Sequence, residues 1–242
     1  MSMGLELASS RTYIQRTTAP GPYSMPDINF DLFSDIQMSS TPVGFQYSAG
    51  FIDVDEESAL VMDIQHLELD PYEFRGVQAR RRVVSFGLRH GYQTRGLAQS
   101  AAIPPFLKDL QAKAAAFARV AADDFEQVLV SEYTPGTPIG WHKDRALYEV
   151  IVGVSLLSAA MLRFRRATAR GWIRHTQLLE PRSIYVLSGA ARDQWQHSIP
   201  AVHELRYSIS FRSVRTADAS HLNTVPSMAQ HRLFGSSILD PG

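Results

Sequence analysis

The sequence predicts a mainly β domain with flanking helices, and three observations carry that prediction. Two apolar, β-branched runs of strand length, Phe125–Tyr133 and Val150–Leu157, stand on either side of the turn-forming segment Thr134-Pro-Gly-Thr-Pro138 and the residues after it. Arg206-Tyr-Ser-Ile-Ser-Phe-Arg212 alternates polar and apolar residues with the period of an extended strand. Ile103–Ala122 has prolines at its start and much alanine, with Phe106, Leu107, Leu110, Ala114, Phe117 and Val120 at helical spacing.

In chain order, residues 1–45 are rich in Ser, Thr, Pro and Met and are expected to be loosely ordered, although Pro22–Pro26 and Phe30–Phe33 could dock. A helix-like stretch, Glu56–Leu67, leads into Leu69-Asp70-Pro71, a turn signal. An arginine-rich segment, 74–92, precedes the Ile103–Ala122 helix, which reads as scaffold covering a sheet. After Val150–Leu157, a basic hairpin runs from Arg163-Phe-Arg-Arg166 through Arg170 to Arg174, either flanking a pocket mouth or forming plain surface. Leu187-Ser-Gly-Ala reads as a turn. Residues 217–242 are expected to form a loosely ordered tail, leaving 46–216 as one domain. Within it, 46–124 would be a recognition region with scaffold helices and 125–216 the core.

Chain length and composition bound the function. A chain of 242 residues can bury one sizeable core. The formal net charge is zero, so any affinity for nucleic acid must come from local patches and fall with salt. The absence of Cys excludes disulfides, Cys-ligated zinc and iron–sulfur sites, and it fits the expected reducing cytoplasm. The N-terminus has no basic-then-apolar leader pattern, and the longest apolar run, Val150–Leu162, is broken by serines and too short to span a bilayer. We expect a monomer that does not engage membranes.

The chemistry concentrates in His142-Lys-Asp144, His197 and the Arg206–Arg212 strand. His-x-Asp alone is weak, since roughly one His-x-Asp/Glu is expected by chance at this composition. The chain holds a decoy, His66-Leu-Glu68, at the end of a helix-like stretch. Residues two apart point about 200° apart on a helix and the same way on a strand, so only His142 and Asp144 suit a shared metal. Two histidines and a carboxylate can hold one face of a ferrous ion and leave its other positions open. Arg206 could then grip the distal carboxylate of a chelating organic acid, which is the arrangement that oxygen activation with 2-oxoglutarate needs. On that strand Arg206, Ser208, Ser210 and Arg212 share one face, and Tyr207, Ile209 and Phe211 the other. The alternative is a solvated strand face with ordinary salt bridges.

The segment from about Val128 to Arg215 resembles the AlkB-like family of Fe(II)- and 2-oxoglutarate-dependent dioxygenases. The resemblance rests on Ser131-Glu-Tyr133-Thr-Pro-Gly136, His142-Lys-Asp144, Ser155-Leu-Leu157, Pro181–Gly189, Trp195-Gln-His197-Ser-Ile-Pro200 and Arg206–Arg212. It implies a double-stranded β-helix (jelly-roll) core with an N-terminal substrate-recognition extension. It makes His142, Asp144 and His197 the iron ligands, places Arg206 on the distal carboxylate of 2-oxoglutarate and Arg212 near its keto-acid end, and gives Tyr133 a hydrogen bond to the co-substrate. Ser131 and Ser208 stand where relatives carry Asn; a serine hydroxyl can still supply a hydrogen bond.

Upstream, Phe74–Tyr92 resembles the family's nucleotide-recognition region. Four arginines between 75 and 82, Arg80 and Arg82 among them, could neutralise phosphates, while Phe86, His90 and Tyr92 could stack on an extruded base. The alternative is a charged surface with Val83, Val84 and Phe86 packed beneath it. The resemblance implies oxidative demethylation of N-alkylated bases in DNA or RNA, single strands preferred, with Fe(II), 2-oxoglutarate and O2. Some relatives that repair cationic lesions carry an acid just after the ligand Asp; here Arg145-Ala-Leu-Tyr-Glu149 follows. Two alternatives remain: the same chemistry on a protein or small molecule, and a non-catalytic binding module on this fold.

Overall fold

The computed structural model describes residues 41–74, 77–90, 97–99 and 101–215. Its strands are β1 (Phe45–Ser48), β2 (Asp70–Phe74), β3 (Val77–His90), β4 (Leu97–Gln99), β5 (Phe125–Tyr133), β6 (Ile139–His142), β7 (Tyr148–Leu156), β8 (Ala160–Thr168), β9 (Gly171–Leu179), β10 (Ser183–Leu187), β11 (Gln196–Ile199) and β12 (Arg206–Val214). The helices are α1 (Val54–Gln65), α2 (Lys108–Ala118) and the short α3 (Gly189–Asp193). Asp53 caps α1 by accepting the Glu56 N–H at 2.8 Å.

The strands form two antiparallel sheets. The larger runs β1-β10-β7-β12-β5-β3-β2, with β4 added to β3; the smaller runs β6-β11-β8-β9. The two-sheet, antiparallel architecture is the expected jelly roll. β12 sits mid-sheet between β5 and β7, with the helices over one face and the smaller sheet over the other, so Arg206, Ser208 and Ser210 are buried rather than solvated. The larger sheet also takes in β1, β2 and β3, so strands from upstream of residue 125 complete the core sheet itself.

Two apolar clusters follow from this layering. One lies between the larger sheet and the helices, where Leu60 and Ile64 of α1 and Leu110 and Ala114 of α2 meet Val128, Val152, Ile209 and Phe211. The other includes Tyr133, Ile151, Tyr185 and Leu187 from the larger sheet and Leu162, Phe164 and Ile199 from the smaller. Alternation therefore sends one side of each large-sheet strand to the helices and the other into the sandwich. Buried Glu57 ties α1 to the sheet end, accepting the Leu157 N–H at 2.9 Å and pairing with Arg182 at 2.9 Å.

Several elements differ from expectation at their ends. The Ile103–Ala122 helix is a 3-10 turn, Pro105–Leu107, followed by α2, which stops where Arg119 adopts a left-handed conformation (φ 60°). Leu187-Ser-Gly-Ala is the last residue of β10 followed by α3, and Asp70-Pro71 already belongs to β2.

Candidate functional site

His142 ends β6, His197 lies on β11, and the two are direct cross-strand partners although they stand 55 residues apart in the chain. Their rings sit 4.3 Å apart between centroids. Asp144, two residues beyond β6, brings Oδ2 to 3.3 Å from His197 Nε2. One ligand atom from each of the three residues lies within 4.8 Å of the others, the spacing at which a single ion can be shared. His142 Nδ1 stands 2.9 Å from the Gly140 carbonyl; because that oxygen can only accept, Nδ1 is the donor and Nε2 is the nitrogen left to serve as a ligand atom. The decoy pair behaves as its helical setting requires. His66 caps α1 and points Nδ1 at the Met62 carbonyl, 2.7 Å away.

The loop carrying Asp144 is held from behind. Lys143 Nζ donates to the Asp193 carbonyl at 2.8 Å, buried Arg192 donates to the Arg145 carbonyl, and Arg215 Nε donates to the Ala146 carbonyl at 2.9 Å. Burial opposes ionisation of Asp144, yet His197, Arg212, His142 and Arg192 around it hold its carboxyl below the ordinary carboxylate range. Burial pushes His197 down to about 4 against the pull of Asp144, so its imidazole is neutral near pH 7 and able to ligate. An imidazole from each of His142 and His197 together with the ionised Asp144 carboxylate is the donor set that suits ferrous iron.

Arg206 opens β12 and is fully buried. Its Nε donates to Ser155 Oγ at 3.0 Å and its guanidinium lies 5.0 Å from the centre of the Tyr133 ring. Its two terminal nitrogens are buried without a partner. A guanidinium kept in the interior with both amino groups unsatisfied is costly, and a carboxylate is the ligand that matches its fork. Arg212, three pleats along the same face, donates to Gln127 Oε1 at 3.1 Å and stands 3.9 Å from Asp144 Oδ1. Ser131, Ser208 and Ser155 sit side by side across β5, β12 and β7.

A cavity joins these groups. Its lining includes His142, Asp144, His197, Tyr133, Ser131, Ser208 and Arg212. The cavity thus brings together the three expected metal ligands and four of the five expected co-substrate residues. Arg206 sits against Tyr133, its cross-strand partner on the same sheet face. Burial pushes the Tyr133 phenol up, but Arg81, Arg206 and hydrogen bonds with Arg81 and Ser131 hold it below its ordinary value.

The expected recognition residues are placed differently. Arg82 pairs with Glu132 across β3 and β5, Nε to Oε1 at 2.8 Å and Nη2 to Oε2 at 2.9 Å, on the sheet side away from the cavity. Phe86, partner of Val128, is buried in the cluster beneath the helices and cannot stack on a base. Arg80 is exposed beside Gly136. Tyr92 and the side chain of His90 lie outside the described residues. Arg81 is the arginine that lines the cavity, because neighbouring strand residues face opposite ways. Two residues of the matching motifs to which sequence reading assigned no site role also belong here: Tyr185, which lines the cavity, and Ser155, the acceptor for Arg206. Glu149 is exposed, and Asp144 is the one carboxylate in the cavity lining among the described residues.

Residues 60–233 match the 2OG-Fe(II) oxygenase superfamily. Among curated proteins, the chain is 33% identical over 113 residues to the uncharacterized protein L905 of Acanthamoeba polyphaga mimivirus, covering 41% of this chain and 53% of that one. It is 28% identical over 174 residues to an alkylated DNA repair protein ALKBH8 homolog of Arabidopsis thaliana, covering 62% of this chain and 49% of that one. The chain thus spans about half the length of the curated relatives it matches. In fold it is similar to OsALKBH1 (TM-score 0.54, 17% identity, 72% of this chain and 98% of that one). It is also similar to a Pseudomonas putida prolyl-4-hydroxylase (TM-score 0.51, 16% identity, 71% and 93%).

Proposed function

The chain belongs to the 2OG-Fe(II) oxygenase superfamily, and on that premise we propose that it oxidatively demethylates N-alkylated bases in nucleic acid. The observation that carries the co-substrate assignment is Arg206, whose two buried, unpartnered terminal nitrogens call for a carboxylate. His142, Asp144 and His197 would hold the iron, and the family uses Fe(II), 2-oxoglutarate and O2. When bound, these supply the oxidising power to insert one oxygen atom into a C–H bond, while 2-oxoglutarate becomes succinate and CO2.

The chain's own residues do the positioning. Arg206, fixed by Ser155 through its Nε, takes the distal carboxylate in a fork. Tyr133 reinforces that end, and the hydroxyls of Ser131 and Ser208 can donate into the cavity where relatives use amides. Arg212 keeps Asp144 ionised from one side and Arg192 from another. The apolar lining of Ile139, Ile151, Leu162 and Leu187 limits water at the reacting carbon. Hydroxylation of an N-methyl group gives an N-hydroxymethyl product, which releases formaldehyde and leaves the N–H amine.

The nucleic-acid substrate is supported by the likeness to an alkylated DNA repair protein homologue and by Arg81 at the cavity. With Arg81 and Arg212 lining it and Asp144 committed to metal, the cavity favours a methylated base that carries no positive charge. The test is anaerobic reconstitution with ferrous iron and 2-oxoglutarate, then exposure to air with an N-methylated single-stranded oligonucleotide. Equal yields of succinate and formaldehyde are expected. Succinate with no substrate-dependent formaldehyde would reject this substrate.

A further inference from the structure

The smaller sheet has a second face. Its inner side carries His142, His197, Phe164 and His175 in register across all four strands. Alternation therefore puts Trp141, Gln196, Arg165 and Arg174 on the outer side, with Arg163 and Trp172 nearby on the same face. Trp172 is 42% exposed and Arg174 is exposed, so this side is open among the described residues.

The outer face is ordered. The Arg165 guanidinium lies 4.4 Å from the centre of the Trp141 ring and 4.5 Å from that of Trp172, a cation held between two indoles. Arg163 adds a further cation 5.2 Å from Trp141. Each of these arginines is steadied through its Nε, Arg165 by Gln196 Oε1 at 2.7 Å and Arg163 by Ser198 Oγ at 3.2 Å. Neither they nor Arg174 form an ion pair among the described residues. The four strands contain no Asp or Glu, in a chain whose formal net charge is zero. Positive charge and flat aromatic surface are therefore concentrated on one sheet face, directly behind the strands that carry the two histidines.

We propose that this outer face, centred on Trp141, Arg165 and Trp172, holds a single-stranded segment of the nucleic acid whose modified base is processed on the inner side. A single strand offers both features that the face complements, phosphates for the arginines and ring faces for the indoles. An acidic peptide offers only the charge. The inference rests on the nucleic-acid substrate proposed above, for which it names a holding surface outside the cavity. The surface reads no sequence, since stacking and phosphate contacts tolerate any base.

The experiment separates the two ideas by using two ligands. An unmodified single-stranded oligonucleotide, followed by fluorescence anisotropy in the full chain, reports the surface; formaldehyde from an N-methylated trinucleotide reports the reaction. Trp172→Ala is expected to weaken the unmodified strand roughly fivefold or more. Arg174→Ala is expected to weaken it and to flatten the salt dependence by about one ion. Both variants should release formaldehyde from the trinucleotide at the wild-type rate. Should Trp172→Ala fold poorly, Arg174→Ala, altered only at an exposed side chain, carries the test. Wild-type strand affinity in the folded variants would overturn the surface and leave the reaction standing. Loss of affinity in the variants, with no formaldehyde from any protein, would uphold the surface and reject the reaction. Equal competition by an acidic peptide of matched charge would also overturn the proposal, making the face a protein-docking surface.

Discussion

Tyr185 lies across the backbone of its cross-strand partner Gly153: a Cβ at 153 would stand 2.3 Å from Tyr185 Cζ. Gly153 also pairs with Ser210 on β12, so the missing side chain makes the space in which the Tyr185 ring lines the cavity. Gly153→Ala should push that ring towards the co-substrate position. The expected cost is about 1–3 kcal/mol of stability together with a raised KM for 2-oxoglutarate. Thermal unfolding and succinate kinetics on one preparation check both; an unchanged KM would mean that the ring moves away from the cavity.

Burial pushes the Tyr185 phenol up to about 12, against the opposing pull of Arg206. The folded state thus favours the neutral phenol over an unfolded tyrosine near pH 10. The stability from this group is complete below about pH 10 and is lost as pH rises through the folded value. Ultraviolet titration of tyrosinate should show a late component that Tyr185→Phe removes.

Arg206→Met should uncouple stability from co-substrate. In the wild type, 2-oxoglutarate with a redox-inert divalent metal should raise Tm by mass action, because it binds the folded state. In Arg206→Met that increment should vanish, with affinity lowered at least about thirtyfold. Ser155→Ala removes only the acceptor for Arg206 Nε and should cost about tenfold in 2-oxoglutarate affinity. A larger loss in Ser155→Ala than in Arg206→Met would contradict the assignment.

Asp144→Ala should abolish iron-dependent succinate formation and the Tm increase on adding metal, while His66→Ala should change neither, since His66 only caps α1. Full activity in Asp144→Ala would mean that the ligands lie elsewhere.

Glu57→Ala should destabilise without touching the chemistry. It leaves the Leu157 N–H and Arg182 without their shared acceptor where β7 ends, outside the cavity lining, at a cost of about 1–3 kcal/mol. Denaturant unfolding should show the loss, while KM for 2-oxoglutarate stays at the wild-type value.

Much of the candidate site was legible because it is written in local patterns. The Phe125–Tyr133 strand stands as read, and the period of two along β12 correctly separated the helix-facing Tyr207, Ile209 and Phe211 from the buried polar row. The strand-like surroundings of His142 and Asp144 distinguished them from the decoy, which has the same spacing at the end of a helix. The recognition strand was less legible. Arg80, Arg81 and Arg82 are chemically identical, and which one faces the cavity depends on how β3 registers against β5. Phe86 could equally have been a stacking ring or core until that register placed it against Val128.

By itself, then, the amino-acid order determined which segments extend, which helices cover them, and which residue types can hold ferrous iron and an organic acid, because side-chain period and ligand chemistry are properties of short stretches. Only the tertiary structure decided that His142 faces His197, that Arg206 is buried with its amino groups unpaired, that Arg81 rather than Arg82 reaches the cavity, and that Trp141 and Trp172 enclose Arg165. Each of these depends on strand register and burial between segments far apart in the chain, and a shift of one residue in any pairing would turn every side chain of that strand to the opposite face.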